Sequence, residues 1–270
     1  MPSKNIGKTI KKVKTNKKNV VITFSDGSKI DVCVDVLANF YLYEGKNISN
    51  KEINQIKEFS SYSTLLNYAF SLLRKRHYSE WKMREKLYAK EENKKAVDKI
   101  IKILKNNDLI DDAALAEDLK EYLNEKNYGE KKILQYLNQE GIFPETLKNL
   151  KFPVSEEKQK AINNLSKLEK RYDKYPYEQK KKKIYDALLN LGFSHDVAIY
   201  TLNKIKDIKP KEEKEKLDKD FVKALHKYEN KYEGKQLKEK IIASLRNKGY
   251  KMKDILLKVG NYDGENDCGF

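Results

Sequence analysis

Arg74-Lys75-Arg76-His77, followed by Lys82, Arg84 and Lys86, is the densest basic chemistry in the chain. A guanidinium is a planar fork that grips phosphate or carboxylate through two parallel hydrogen bonds. Of 57 basic residues only 5 are arginine, at 74, 76, 84, 171 and 246, and three of these fall between 74 and 84. Lysine, asparagine and isoleucine are abundant, as expected when an AT-rich coding bias converts arginine codons to lysine. Arginine kept in one place under such a bias predicts a contact whose geometry matters. The same residues also read as a solvated helix face. Tyr78 and Trp81 stand among them and could stack on bases or pack between helices. Lys131 and Lys132 are further candidates, as is the run Lys180, Lys181, Lys182 and Lys183. That run lies at a helix start, where the dipole disfavours positive charge, a weak pointer to an external anion. Lys11, Lys12, Lys14, Lys17 and Lys18 make a basic stretch that suits either phosphate contact or a solubilising arm.

Asp111-Asp112 is the one acidic pair that could suggest metal or acid–base work. It precedes an apolar-periodic run, so the expected role is capping: a carboxylate there accepts orphan backbone N–H groups. Nothing near it completes a metal site or a catalytic pair. His77, His195 and His226 have no partners at ligand spacing. No P-loop, dinucleotide-binding glycine pattern, nucleophile elbow or His-Glu zinc helix is present. The two cysteines, Cys33 and Cys268, exclude a disulfide scaffold and a four-cysteine zinc site. Cys33 sits in an apolar alternation and reads as a buried thiol. No enzyme, cofactor or metal is expected. No apolar run approaches the ~18 residues that span a bilayer, and the first residues lack a signal peptide's apolar core. The reading is a cytoplasmic protein with no membrane partner, expected to be a monomer.

The elements that must carry these residues repeat. Ile133, Leu137, Gly141 and Ile142 return as Ile184, Leu188, Gly192 and Phe193, and again as Ile241, Leu245, Gly249 and Tyr250. Met83 and Leu87 begin a fourth copy without the glycine. The i, i+4 pair lies on one helix face. Gly141, Gly192 and Gly249 fall where a left-handed cap ends a helix. Around each pair the periodicity predicts three helices, with a tyrosine turn at Tyr78, Tyr128, Tyr175 and Tyr232. Pro144 fits the first turn of a short third helix, and Pro153 and Pro210 punctuate the units.

Before the repeats, Val20, Ile22 and Phe24 alternate, Asp26-Gly27 marks a turn, and Ile30, Val32 and Val34 alternate again: a hairpin. Ile10 and Val13 fit a third strand. Residues 36–58 read as helical, with Gly45 as a stop and a Ser49/Glu52 capping box opening a short helix. The expected fold is therefore mainly α: an elongated array of three-helix repeat units with a small N-terminal β-hairpin module. The segments are 1–58, then repeats at 60–110, 111–155, 156–208 and 210–262, then a tail, 263–270, with the chain expected to fray after Gly260. Such units bury their apolar faces only by stacking.

The formal net charge is +16. That balance favours a polyanionic partner, nucleic acid first. Coding bias raises lysine but does not by itself create a net positive excess.

The stretch from Tyr68 to Ile142 resembles the RecX family of bacterial recombination regulators. Ala69, Leu72, Leu73 and Arg76 are followed by Ser79-Glu-Trp-Lys82-Met83-Arg-Glu-Lys86-Leu87. The junction is Asp108-Leu109-Ile110-Asp111-Asp112-Ala-Ala-Leu115-Ala116, and the second unit carries Gly129, Ile133, Leu137, Gly141 and Ile142. Lys82, Asp108 and Leu115 depart from the family's usual glutamate, glycine and phenylalanine. The N-terminal hairpin and residues 155–260 resemble the family's longer members more loosely. The resemblance implies three-helix units and no catalysis. It implies binding along the groove of the RecA–DNA filament, with inhibition of RecA's recombination, coprotease and ATP hydrolysis activities. The implied partners are RecA, its nucleoprotein filament, and single- and double-stranded DNA. Two other readings stay open: a stand-alone DNA-binding protein or transcription factor with helix-turn-helix-like repeats, and an interaction scaffold without salt-dependent DNA affinity.

Overall fold

The computed structural model describes residues 7–16, 19–91, 93–205 and 210–266, with the side chains of 210 and 263–266 excepted. Lys17, Lys18 and Cys268 lie outside the described residues. Two compact units are distinguished. One runs from the N-terminal sheet to Ala116 and takes in Gln139–Leu147; the other holds Glu117–Asn138 and the chain from Lys148 onward.

In the first unit β1 (Lys8–Thr15), β2 (Asn19–Phe24), β3 (Lys29–Cys33) and the two-residue β4 (Asn47–Ile48) form an antiparallel sheet in the order β3-β2-β1-β4. The hairpin is where the Asp-Gly turn puts it: the Asp26 carboxylate accepts from the Ser28 N–H at 2.9 Å, and Gly27 takes φ +84°. Ile10, Val20, Ile22, Phe24 and Val32 form the buried face, packed with Val36, Ile48, Ile53 and Ile56. A bulge lies between Ile10 and Lys12 in the β1–β2 pairing.

Two expectations for residues 36–58 are corrected. The helix α1 (Asp35–Phe40) stops at Tyr41, which takes the left-handed conformation at φ 48°, four residues before Gly45. Gly45 instead opens the turn into β4, a strand inside the stretch read as helical; its N–H donates to Ile10 O at 2.8 Å. The capping box is present, with Glu52 N–H donating to Ser49 Oγ and Ser49 N–H to Glu52. The helix it opens is not short, however. α2 (Asn50–Leu73) runs 24 residues, because no glycine or proline interrupts it. Ser60 on α2 accepts from the Cys33 N–H at 2.8 Å, tying the helix to the sheet and leaving Cys33 buried.

The rest is helical, grouped in threes as expected. α3 (Glu80–Tyr88) and α4 (Lys94–Asn106) follow the second half of α2. Then come α5 (Asp112–Glu125), α6 (Glu130–Gln139) and the short α7 (Pro144–Leu147), opened by Pro144. α8 (Val154–Tyr172), α9 (Tyr177–Asn190) and α10 (His195–Leu202) form the next set, and α11 (Pro210–Tyr228), α12 (Gly234–Lys248) and α13 (Met252–Asn266) the last. The tail expected to fray after Gly260 is helical as far as Asn266.

The recurring pair sits on the middle helix of each set. Met83, Leu87, Ile133, Leu137, Ile184, Leu188, Ile241 and Leu245 are all at most 1% exposed. Burying each such side chain is worth about 1.5–3 kcal/mol over leaving it in water, which is why this pair, and not the surface between, carries the repeat. Gly141, Gly192 and Gly249 take φ of 78°, 94° and 95°, the left-handed caps their position implied.

Candidate nucleic-acid and protein interface

The basic cluster at 74–86 divides on folding. Arg76 reaches Glu140 at 3.3 Å and lies 4.3 Å from the Tyr78 ring centre. Its hydrogen bond to Tyr78 raises its pKa, as does Glu140, against the effect of burial. Arg84 bonds Glu80 at 2.9 Å and Asp98 at 2.5 Å, and Lys105 closes on the other Glu80 oxygen at 2.6 Å. Burial works against the Arg84 charge, but the bonds to Asp98 and Glu80 outweigh it and raise its pKa. Lys82 pairs with Glu85 at 3.2 Å and lies 4.6 Å over the Trp81 ring. Two of the three arginines thus use their forks inside the molecule, where α3 meets α4 and Glu140. Arg74, Lys75 and Lys86 remain exposed, with no acidic partner among the described residues. Arg74 caps the C-terminus of α2 and Lys86 lies in the last turn of α3, where positive charge is favoured.

Trp81 is 43% exposed, and its ring packs under Gly141, where a Cβ would fall 2.6 Å from it. Lys131 and Lys132, in the first turn of α6, have exposed side chains. Lys131 lies on a groove of about 440 Å³ that it shares with Phe152, Lys158 and Tyr200. Of the four-lysine run in α9, Lys180 pairs with Asp173 at 2.9 Å, Lys181 lies over Tyr177 and Lys183 over Tyr175. Lys182 is exposed. The helix start therefore answers much of its own excess charge, with a carboxylate and two tyrosine rings. His195 Nδ1 meets the Tyr185 hydroxyl and His226 pairs with Glu229 at 2.8 Å. Among the described residues no three His, Cys, Asp or Glu side chains gather as a metal site, and no helix is long and apolar enough to cross a membrane.

The aspartate pair splits its work. Asp111 caps α5, accepting from Ala113 N–H at 2.8 Å and Ala114 N–H at 3.0 Å. Asp112 does not cap its own helix; it accepts from Glu80 N–H at 2.8 Å, at the first residue of α3. Ser79, the N-cap of α3, takes Lys82 N–H and gives its hydroxyl proton to the Glu140 carbonyl.

This arrangement recurs, and the sequence did not reveal it. Glu157 on α8 accepts from Glu130 N–H, the first residue of α6, at 3.0 Å. Glu213 on α11 accepts from Tyr177 N–H, the first residue of α9, at 3.0 and 3.3 Å. In each case the first helix of one set gives a carboxylate to the middle helix of the set before it. The orphan donors and the positive dipole end are satisfied from outside the helix. The left-handed glycine of the later set lies against the same helix start: Gly141 on Trp81, Gly192 on Gly129 and Lys132, Gly249 on Gln179. Gly129 N–H donates to Leu191 O at 2.8 Å and Lys131 N–H to Gly192 O at 3.0 Å. Glu157 and Glu213 each stand fourth in a helix behind a proline start, a visible signal, but the helix they would cap is not written near them.

Burial raises the Asp112 pKa, while the Glu80 N–H works to lower it. Asp112→Ala is expected to cost about 0.5–2 kcal/mol, as for a lost cap. Asp112→Asn keeps an acceptor and removes the desolvated charge, so it should stay within about 0.5 kcal/mol of the parent at neutral pH. A folded-state pKa above the ordinary 3.8 means that ionising this carboxyl opposes folding. The stability of the parent relative to the Asn variant should therefore fall as pH rises from that value. Urea titrations of the three proteins between pH 3 and pH 7 test this, and equal losses for Ala and Asn would show that no hydrogen bond is involved.

No protein-family model matches the chain. It is 30% identical over 260 residues to regulatory protein RecX of Streptococcus pneumoniae (strain ATCC 700669 / Spain 23F-1), covering 94% of this chain and 99% of that protein. Regulatory protein RecX of Streptococcus pyogenes serotype M3 (strain ATCC BAA-595 / MGAS315) is 29% identical over 257 residues, with the same coverage. A crystal structure of regulatory protein RecX superposes with a TM-score of 0.55 at 25% identity, over 73% of this chain and all of that one.

Proposed function

The chain belongs to the RecX family of regulatory proteins, and on that premise we propose that it regulates homologous recombination by binding the RecA–DNA filament and inhibiting strand exchange, ATP hydrolysis and the coprotease activity of RecA. The observation that carries this reading is the match to RecX proteins along 94% of the chain. The net charge of +16 supports a polyanionic partner. Exposed Arg74, Lys75, Lys86, Lys131, Lys132 and Lys182 are the cations best placed to meet it, since Arg76, Lys82, Arg84 and Lys180 hold carboxylates of their own. Lys181 and Lys183 rest on tyrosine rings, with no carboxylate partner among the described residues.

Titrating the protein into RecA strand-exchange and DNA-dependent ATPase reactions tests the proposal. Inhibition at substoichiometric or stoichiometric protein is expected. Sequence-specific binding of one duplex in the absence of RecA, with no effect on RecA, would instead select the transcription-factor reading. An Arg74, Lys75, Lys86→Gln variant should stay folded and bind the filament more weakly. Its log K against log salt slope should be shallower by about 0.7–0.9 for each phosphate that is no longer neutralised. Unchanged affinity and slope across a salt series would remove these three residues from the interface.

A further inference from the structure

The loop between α1 and β4 displays Tyr41 and Tyr43, 80% and 63% exposed, the two most exposed aromatic side chains among the described residues. The loop is fixed rather than loose. Leu42 between them turns inward and is buried, with its N–H on Leu37 O at 3.2 Å. Gly45 N–H donates to Ile10 O, Ile10 N–H to Lys46 O at 2.9 Å, and the Lys46 ammonium to Phe40 O at 2.6 Å. Glu44 accepts from Val13 N–H at 3.1 Å, which lays the loop along β1. Tyr41 also holds a left-handed backbone, where residues other than glycine, asparagine and aspartate are strained. Among the described residues the two other non-glycine positions with positive φ are Asp108 and Asn127, types that tolerate it. A bulky tyrosine is thus kept in a costly conformation where its ring gains little burial.

β1 beside this loop carries Lys11, Lys12 and Lys14, all exposed and without a carboxylate partner among the described residues. Asp26 is paired with Lys8 at 2.7 Å; Glu44 accepts only the Val13 N–H, and exposed Asp31 on β3, in register with Val21, is the one acid on the same sheet face, against three lysines. Lys12 and Lys14 pair with Thr23 and Val21 of β2, on the sheet face opposite the buried Ile10, Ile22 and Phe24. The bulge adds Lys11 to the same short run.

From this juxtaposition we infer that β1 and the Tyr41–Lys46 loop form a binding site for single-stranded nucleic acid, with the two tyrosines stacking on unpaired bases and Lys11, Lys12 and Lys14 meeting phosphates. Exposed aromatic rings carried on a held loop beside unpaired cations are the arrangement that binds a single strand without reading its sequence. A duplex offers the rings no free base face, so single strands bind more tightly here. The ordered loop spares much of the entropy cost of binding. The inference deepens the proposed function by placing a nucleic-acid contact in the N-terminal module.

The test is fluorescence anisotropy of a labelled oligothymidylate, and of a labelled duplex, with the full chain over a salt series. A Tyr41→Asn, Tyr43→Ala variant is used, since asparagine accepts the left-handed backbone. It should lose about ten-fold or more in single-strand affinity, with the salt slope unchanged and duplex affinity little altered. A Lys11, Lys12, Lys14→Gln variant should lose affinity and flatten the slope by about 2. Unchanged thermal midpoints establish folding, and the single Tyr43→Ala change serves if the double variant is destabilised. Both variants binding like the parent would overturn the site while leaving the proposed function standing. Equal losses for duplex and single strand in the tyrosine variant would overturn the stacking. A parent that does not bind the oligothymidylate overturns the inference outright, and RecA ATPase inhibition by the same sample then decides separately whether the proposed function survives.

Discussion

Glu157→Ala is expected to destabilise the protein by about 3–5 kcal/mol, the cost of stranding one member of a buried ion pair. Glu157 is 5% exposed and forms an ion pair with Lys160, which is 8% exposed. Removing the carboxylate leaves a lysine with only Asn124 Oδ1, at 2.7 Å, to hold its charge. It also strips the acceptor from Glu130 N–H at the start of α6. Glu157→Gln preserves an acceptor but not the charge and should fall between parent and alanine variant. A double Glu157→Ala, Lys160→Met change removes both charges and should be much milder than the single change. Urea unfolding followed by circular dichroism gives the differences from the midpoints, provided the m-values agree. A single variant no worse than the double would mean that the pair is effectively solvated.

Gly192→Ala is expected to cost about 3–5 kcal/mol, while Gly45→Ala should cost only about 1–2 kcal/mol, the penalty for a left-handed L residue. The two glycines share φ +94°, so the backbone penalty is common. A Cβ on Gly45 meets nothing within 4 Å. A Cβ on Gly192 lands on the backbone of Lys132 and 2.9 Å from Gly129 O. Relief requires the end of α9 to move off the start of α6. That breaks the Gly129–Leu191 and Lys131–Gly192 backbone bonds, each worth about 0.5–1.5 kcal/mol. Overpacking adds about 1–3 kcal/mol where the separation is incomplete. Equal losses at the two positions would show that conformation alone, and not close approach, requires glycine at 192.

The repeat was legible because burial is periodic: Ile184 and Leu188 had to be apolar at i, i+4, and Gly192 had to turn left-handed after them. The hairpin was legible because Asp26-Gly27 is local chemistry. β4 was not, because a two-residue strand has no period of its own; it forms only because β1 offers Lys8 and Thr9 as partners. The end of α1 at Tyr41 was missed for a related reason, since residue preference there is overridden by the loop packing along β1. The basic candidates were visible as charges, but their partners were not. Arg84 looked available until Asp98, fourteen residues on in another helix, was placed against it. A sequence records which side chains are ionic; only the fold says which are already neutralised.

The recurring carboxylates also grade the strength of the second unit along its length. The starts of α6 and α9 are each clamped by an acid from a later helix, Glu157 and Glu213. α12 starts at Gly234 behind Glu233, whose side chain makes no cap bond, and among the described residues nothing does for it what Glu213 does for α9. Its first-turn amides are expected to exchange with solvent faster than those of α6 and α9, a difference that hydrogen-exchange mass spectrometry reads directly. In the second unit the order in which helix starts admit water is then expected to follow which of them an acid from a later helix holds.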